Sequence, residues 1–128
     1  MHVIPQYKDC TVIIVDDSHF IRQTLRSMLE ANGYTVIAEA SDGIEAVRKY
    51  SEFKPQITTM DVMMPYKGGV GATKDIISFD KNAKILMSSI LDFDDLVKSA
   101  LEAGAMNIIF KPFNINGIRE VIDNVMLF

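Results

Sequence analysis

The sequence of 128 residues has little of what disulfide frameworks, zinc sites and membrane spans require. Its one cysteine, Cys10, cannot form an internal disulfide, and its place at the start of an apolar run predicts a buried, unreactive thiol in a reducing compartment. Neither of the two histidines, His2 and His19, belongs to a cluster of histidines and cysteines, which disfavours zinc. No apolar stretch approaches the length of a membrane span.

Charge and composition also exclude several classes of protein. A net charge of −4 gives no general footprint for nucleic acid or for an anionic membrane, and 48% hydrophobic residues are typical of a folded globular domain. The first residues lack the basic start and apolar core of a signal peptide. We therefore expect a short leader over residues 1–9 and one domain over residues 10–128, in a cytoplasmic protein.

Short apolar runs alternate with amphipathic segments along the chain, which is typical of a β/α protein with a parallel sheet. The predicted strands cover residues 10–15, 34–40, 57–60, 84–88 and 107–110. A helix is predicted after each strand, and the third, over residues 73–79, has the weakest pattern. Because a closed barrel would need eight such units, the pattern favours an open, doubly wound α/β sheet.

Polar side chains lie at the predicted carboxyl ends of four of these strands. Asp16 and Asp17 follow the first strand, Asp61 the third, Ser89 the fourth and Lys111 the fifth. The carboxyl ends of parallel strands meet at one edge of a sheet, where doubly wound proteins bind their ligands. Carboxylates there favour Mg²⁺, Mn²⁺ or Ca²⁺, and a lysine suggests an anion, so together these residues indicate phosphoryl transfer to an aspartate.

Each of these residues also has a simpler interpretation when it is taken alone. The two neighbouring aspartates could cap the first helix, and Asp61 could stabilise a turn. Lys111 could be an ordinary surface lysine, and Ser89 could form a local hydrogen bond. Their common placement at one sheet edge is what favours a functional site.

Four motifs carry a resemblance to a known family: Val15-Asp16-Asp17-Ser18, Met60-Asp61-Val62-Met63-Met64-Pro65, Ser88-Ser89 and Lys111-Pro112-Phe113. From Cys10 to Val125 the sequence resembles a response regulator receiver domain of the stand-alone kind that often serves chemotaxis. The resemblance implies a flavodoxin-like sheet of five parallel strands in the order 2-1-3-4-5 with five helices. It also implies a cis peptide bond between Lys111 and Pro112.

The resemblance further implies a role for each residue of the site. Asp61 is expected to accept a phosphoryl group from a histidine kinase, with Mg²⁺ as the cofactor and Mn²⁺ as an alternative. The expected metal ligands are Asp16, Asp17, Asp61 and the backbone carbonyl of Met63. Ser89 corresponds to the switch hydroxyl of the family, and Lys111 is expected to pair with the phosphoryl oxygens.

By the same resemblance, the chain is expected to be a monomer that changes its affinity for an output protein, such as a motor-switch component. A phosphatase could be a further partner. No nucleic-acid or membrane partner is expected. The chemistry would be self-catalysed phosphotransfer with slow autodephosphorylation, rather than the work of a metabolic enzyme. Two alternatives stay open: a phosphorylation-independent scaffold and a receiver fragment of a longer regulator. A phosphatase with an aspartate nucleophile is disfavoured, because short loops leave no room for a substrate cap.

The sequence departs from the family pattern around this site. Ile108 occupies the position where a tyrosine or phenylalanine usually takes part in switching. Met63 and Leu91 are apolar at positions flanking the phosphoryl group, and we hypothesise that they slow the attack of water. The segment Lys67-Gly68-Gly69 replaces a less glycine-rich motif, which predicts a pliant and weak start for the third helix.

Overall fold

Five parallel strands alternate with five helices along the chain. The computed structural model describes residues 10–90 and 94–127; the predicted leader and Leu91 lie outside these ranges. The strands are β1 (Thr11–Val15), β2 (Thr35–Ala40), β3 (Ile57–Asp61), β4 (Ile85–Ser89) and β5 (Asn107–Phe110). The helices are α1 (His19–Ala31), α2 (Gly43–Phe53), α3 (Gly69–Phe79), α4 (Asp94–Ala103) and α5 (Ile115–Met126).

The strands form one sheet in the order β2-β1-β3-β4-β5, and all four pairings are parallel. This confirms the predicted doubly wound architecture and the expected strand order. The chain order reverses between β1 and β3, since β1 lies between β2 and β3. The carboxyl ends of β1 and β3 therefore meet at the point where sheets of this class bind ligands.

Helices cover both faces of the sheet, and each face has its own apolar core. On one face, α2, α3 and α4 pack side chains such as Tyr50 and Ile76 against Ile13 and Met60. The core of the other face is formed by α1 and α5 with β1, β3 and β4; its fully buried members include Leu29, Ile122, Ile14, Ile57 and Leu86. Two buried cores explain why the strands are nearly continuous apolar runs rather than alternating ones.

Helix α3 begins at Gly69, four residues before the predicted start at residue 73. Its cap, Gly68, makes no side-chain hydrogen bond, and glycine has a low helix propensity, so the first turn has no sequence signal. The turn forms because the N–H of Gly69 donates to the carbonyl oxygen of Val62 at 2.9 Å. The other helices and the strands begin and end within two residues of the predicted limits where both are defined.

Three further expectations concern the Cys10 thiol, the peptide bond before Pro112 and membrane-spanning helices. Cys10 is buried, and burial raises the pKa of its thiol to about 11, which confirms a thiol that stays protonated at neutral pH. The peptide bond between Lys111 and Pro112 is cis, as expected. Across residues 10–90 and 94–127, no helix has both the length and the apolar character needed to cross a membrane.

Candidate functional site

Asp16 directly follows β1, and hydrogen bonds hold both its backbone and its carboxylate. Its backbone N–H donates to the carbonyl oxygen of Ala40 at 3.0 Å, so the tip of β1 is tied to the tip of β2. Its carboxylate accepts a hydrogen bond from the N–H of Ser18 at 2.9 Å and one from the Lys111 ammonium at 2.7 Å. Only 2% of Asp16 is exposed, so this carboxylate has little freedom to turn.

Asp61 ends β3 beside Asp16 and is also buried, with 6% of its surface exposed. The Lys111 nitrogen lies 3.5 Å from one Asp61 oxygen, and the backbone N–H of Met63 donates a hydrogen bond to the same carboxylate. Lys111 is brought there by β5, where its own N–H donates to the carbonyl oxygen of Ser89 at 2.9 Å. One ammonium therefore lies between two buried carboxylates.

The protonation of Asp61 reflects this crowding. Burial and, to a smaller extent, repulsion from the Asp16 carboxylate raise the pKa of its carboxyl group from 3.8 to a net value of about 6. Lys111 and the N–H of Met63 lower the same pKa, but they do not offset the first two effects. The site thus holds more negative charge than one lysine neutralises.

A divalent cation fits this arrangement. Oxygens of Asp16, Asp17 and Asp61 lie within 4.8 Å of one another, and Asp17 is exposed where the other two are buried. Hard cations such as Mg²⁺ prefer carboxylate oxygens and commonly keep several waters, so an exposed ligand beside two buried ones suits them. The cluster consists of carboxylates, a donor set that suits hard cations.

Ser89 and Ile108 lie together on the side of the sheet that α4 covers. Ser89 is buried at the tip of β4, and it lines a narrow gap with Val62, Leu96 and Ile108. Ile108 is half-buried and packs against the core beneath α4. Ser89, the predicted source of the switch hydroxyl, therefore lies at the same sheet edge as Asp61 and borders an apolar gap beneath α4.

The loop between β3 and α3 is clamped by two close backbone approaches. A Cβ atom at Gly69 would clash with the carbonyl oxygen of Asp61, and one at Gly43 would clash with the carbonyl oxygen of Lys67. The N–H of Gly43 donates to that same Lys67 oxygen at 2.9 Å, and the Lys67 ammonium pairs with Asp75 of α3. These close approaches explain the glycines at positions 43 and 69, and the pliancy predicted from the number of glycines stays a prediction.

Met63, the predicted source of a backbone ligand, lies in this clamped loop directly after the site. Its side chain is 72% exposed, so it is positioned at the open mouth of the site rather than in the core. The predicted site residues therefore collect at one edge: Asp16, Asp17, Asp61, Met63, Ser89 and Lys111. The direct contacts given above join Asp16, Asp61 and Lys111 as the centre of the group.

Arg22, which is not among the residues predicted from sequence, also reaches this edge, with its guanidinium extending from α1. Its Nη1 donates to the backbone oxygen of Asp16 at 2.7 Å, and its Nε donates to the Glu39 carboxylate at 3.0 Å. Arg22 lies four residues after the Ser18 cap, so it points back over the strand tip from the first turn. An arginine one turn after the acidic pair was the available signal.

Comparison with known proteins agrees with the family resemblance found in the sequence motifs. The model of the response regulator receiver domain matches residues 12–123. The chemotaxis protein CheY of Thermotoga maritima is 43% identical over 114 residues, which span 89% of the present chain and 95% of that protein. CheY of Bacillus subtilis is 39% identical over 115 residues, with 90% of the present chain and 96% of that protein covered.

Solved structures agree with the sequence relatives. The chain superimposes with a TM-score of 0.87 on a crystal structure described as the CheX–CheY–BeF3–Mg complex from Borrelia burgdorferi, at 36% identity. The match covers 91% of the present chain and 88% of that chain. The receiver domain of Thermotoga maritima CheB gives a TM-score of 0.81 at 30% identity, with 94% and 96% covered.

Proposed function

The chain belongs to the family of response regulator receiver domains, and from this premise we propose that it is a single-domain phosphorylation switch with Asp61 as the phosphoacceptor. The receiver domain would cover residues 10–128, after a short leader. The observation that carries the proposal is the buried Asp61 carboxylate, whose pKa is raised to about 6 beside Asp16 and Lys111. A buried carboxylate with excess negative charge nearby is suited to a cation and an incoming phosphoryl group.

In the proposed reaction, an Asp61 oxygen attacks the phosphorus atom of a phosphohistidine on the kinase. The new bond is a carboxylate O–P bond, the P–N bond breaks, and the histidine nitrogen leaves with its electron pair and gains a proton. Mg²⁺, held by Asp16, Asp17, Asp61 and the carbonyl of Met63, would supply positive charge for the phosphoryl oxygens. The carboxylate must be ionised to attack, and the cation favours that form.

Lys111 would neutralise part of the new charge. Its ammonium already lies 2.7 Å from Asp16 and 3.5 Å from Asp61, so little movement is needed for it to donate to a phosphoryl oxygen on Asp61. Asp16 would keep Lys111 at the site before phosphorylation. Charge-assisted hydrogen bonds of this kind are about twice as strong as neutral ones.

Ser89 would report the phosphorylated state. A phosphoryl oxygen on Asp61 would attract the Ser89 hydroxyl, and any shift of Ser89 changes its contact with Ile108 and α4. Because Ile108 already packs against the core, the switch would depend on repacking of α4 and not on an aromatic side chain turning inward. Output proteins would then distinguish the two states by the position of α4.

The proposed partners follow from the family and the relatives. CheY-like receiver domains interact with histidine kinases and with output proteins, and the relative from Borrelia burgdorferi was crystallised with CheX. For the present chain we propose a histidine kinase as donor and an output protein such as a motor-switch component, in chemotaxis or motility. A phosphatase would be a third partner, and the chain would act as a monomer.

Incubation with acetyl phosphate and Mg²⁺ tests this function. We expect an acid-stable, base-labile phosphate on Asp61, detected by intact mass and peptide mapping, and none in Asp61→Asn. The Lys111→Met variant should accept phosphate but fail to gain affinity for its output partner. Absence of any adduct in the wild-type chain would contradict the proposal and favour a phosphorylation-independent scaffold.

A further inference from the structure

Arg22 links the tip of β1 to the end of β2 through one guanidinium. Its Nη1 donates to the backbone oxygen of Asp16 at 2.7 Å, while its Nε donates to Glu39 at 3.0 Å. Only 16% of the Arg22 side chain and 19% of the Glu39 side chain are exposed. A guanidinium bound on two edges in a largely buried position has a fixed place and a fixed direction.

Glu39 is itself held by two other cations. Arg26 donates to its second carboxylate oxygen at 2.6 Å, and the Lys49 ammonium donates to its backbone oxygen. Burial raises the pKa of Glu39, but the hydrogen bonds from Arg26 and Arg22 outweigh burial and bring the pKa below its ordinary value. Glu39 is therefore ionised at neutral pH and anchors the Arg22 guanidinium.

The backbone oxygen that Arg22 binds belongs to the peptide between Asp16 and Asp17. Asp16 has other anchors, because its N–H and its carboxylate make the contacts described above. Asp17 differs: its exposed carboxylate makes no hydrogen bond or ion pair with another residue in the described ranges. No side-chain partner in these ranges holds it, so the placement of the Asp17 Cα and Cβ relative to the cluster depends on the orientation of the peptide that precedes it.

We infer that Arg22 is a positioning residue for the cation site: it fixes the peptide between Asp16 and Asp17 so that the Asp17 carboxylate is already directed at the cation. This inference rests on the proposed function. Mg²⁺ demands nearly ideal octahedral geometry, so a ligand that must be reoriented lowers the affinity. Outer residues that orient metal ligands commonly change metal affinity by about 10- to 100-fold when they are lost.

Positioning and simple electrostatics predict opposite signs. Arg22 carries a positive charge next to a cation site, so if charge alone mattered, its removal would tighten Mg²⁺ binding. If Arg22 positions Asp17, its removal weakens Mg²⁺ binding instead. Arg26→Gln provides a matched control, because it removes the same charge from the same carboxylate without touching the backbone of Asp16.

Calorimetric titration with Mg²⁺ on the full chain tests this assignment. We expect Arg22→Gln to raise the Mg²⁺ dissociation constant about tenfold, Arg26→Gln to change it less than about twofold, and Arg22→Lys to give an intermediate value. Phosphorylation by acetyl phosphate should show the same shift in the Mg²⁺ concentration for half-maximal rate, with a nearly unchanged rate at saturating Mg²⁺. Urea denaturation in EDTA identifies the folded variants.

The outcomes separate this inference from the proposed function. Equal losses in Arg22→Gln and Arg26→Gln, or wild-type or tighter Mg²⁺ binding by Arg22→Gln, would overturn the positioning role alone. A fall in the maximal rate with an unchanged Mg²⁺ requirement would also overturn it. A wild-type chain that binds no Mg²⁺ would overturn both the inference and the proposed function.

Discussion

Replacement of Asp61 by asparagine is expected to stabilise the metal-free protein at neutral pH. At 1.36 kcal/mol per pKa unit, the rise from 3.8 to about 6 means that ionised Asp61 lowers the free energy of unfolding by about 3 kcal/mol. An uncharged amide removes that penalty, which is already net of the attraction to Lys111 at 3.5 Å. We therefore expect Asp61→Asn to raise the free energy of unfolding by about 3 kcal/mol at pH 7.5 in EDTA.

The gain has a defined dependence on pH. Between 3.8 and about 6 the folded state binds a proton at Asp61 that the unfolded state has released, so the stability of the wild type falls as pH rises through this window. Below that window both proteins carry an uncharged group at this position. Because pH 5 lies inside the window, the advantage of Asp61→Asn should fall there to about 1.5 kcal/mol, and it should vanish only below the window.

Mg²⁺ should remove most of the difference between the two proteins at pH 7.5. Saturation to 100 times the dissociation constant stabilises the wild type by about 2.7 kcal/mol, while the variant, which has lost a ligand, gains much less. Urea unfolding followed by far-ultraviolet circular dichroism measures the stability of both proteins in EDTA at pH 7.5, in EDTA at pH 5, and in saturating Mg²⁺ at pH 7.5. Asp17→Asn is the control: it removes an exposed carboxylate from the same edge, and we expect a change below about 0.5 kcal/mol in EDTA.

Two results would refute this reasoning about Asp61. One is a variant no more stable than the wild type at pH 7.5 in EDTA, since the carboxylate would then carry no penalty. The other is a difference that stays constant between pH 5 and pH 7.5, which would point to packing and not to ionisation. Either result would remove the electrostatic basis for a cation site at this position.

Three further predictions concern the cation, the loop and the sheet. The Mg²⁺ dissociation constant should rise by up to about tenfold per pH unit below about pH 6, because protons compete with the cation for Asp61. Calorimetry at pH 7.5 and pH 5 measures the two constants, and equal values would contradict the prediction. Gly69→Ala should weaken Mg²⁺ binding and lower the free energy of unfolding by about 2 kcal/mol, because the added Cβ would clash with the backbone of Asp61. The control Gly117→Ala, where the added Cβ meets open space, should raise the free energy of unfolding by about 0.5 kcal/mol; urea denaturation measures both. Thr58→Val should stabilise by about 1 kcal/mol in the same assay, because the buried Thr58 hydroxyl has no partner in the described ranges; a loss of stability would indicate an unseen hydrogen bond.

The strand tips were predictable because their signals are local. Apolar runs end directly at Asp16 and at Asp61, and parallel strands bring such tips to one edge whatever the detailed packing. The five-stranded sheet and the grouping of Asp17 with these two residues follow from the same rule. Lys111 was found for the same reason, since it follows the last strand of the sheet directly.

The remaining features depend on contacts between segments that are distant in sequence. The early start of α3 rests on a hydrogen bond from Gly69 to Val62 and on a close approach to Asp61, neither of which a propensity scale contains. The placement of Arg22 on α1 depends on Glu39, which lies 17 residues away on β2. The packing of Ser89 toward Ile108 depends on where α4 lies and has no local pattern.

The pairing of Asp16 with Lys111 also affects when the protein can first act during its synthesis. These residues are 95 positions apart and follow β1 and β5, with Asp61 at the end of β3, which pairs with β1. A partly synthesised chain that has folded β1 to β4 would present its acidic cluster without the ammonium that completes it. On the proposed function, the chain should gain affinity for its output partner only after β5 has docked, so that signalling is confined to fully folded molecules.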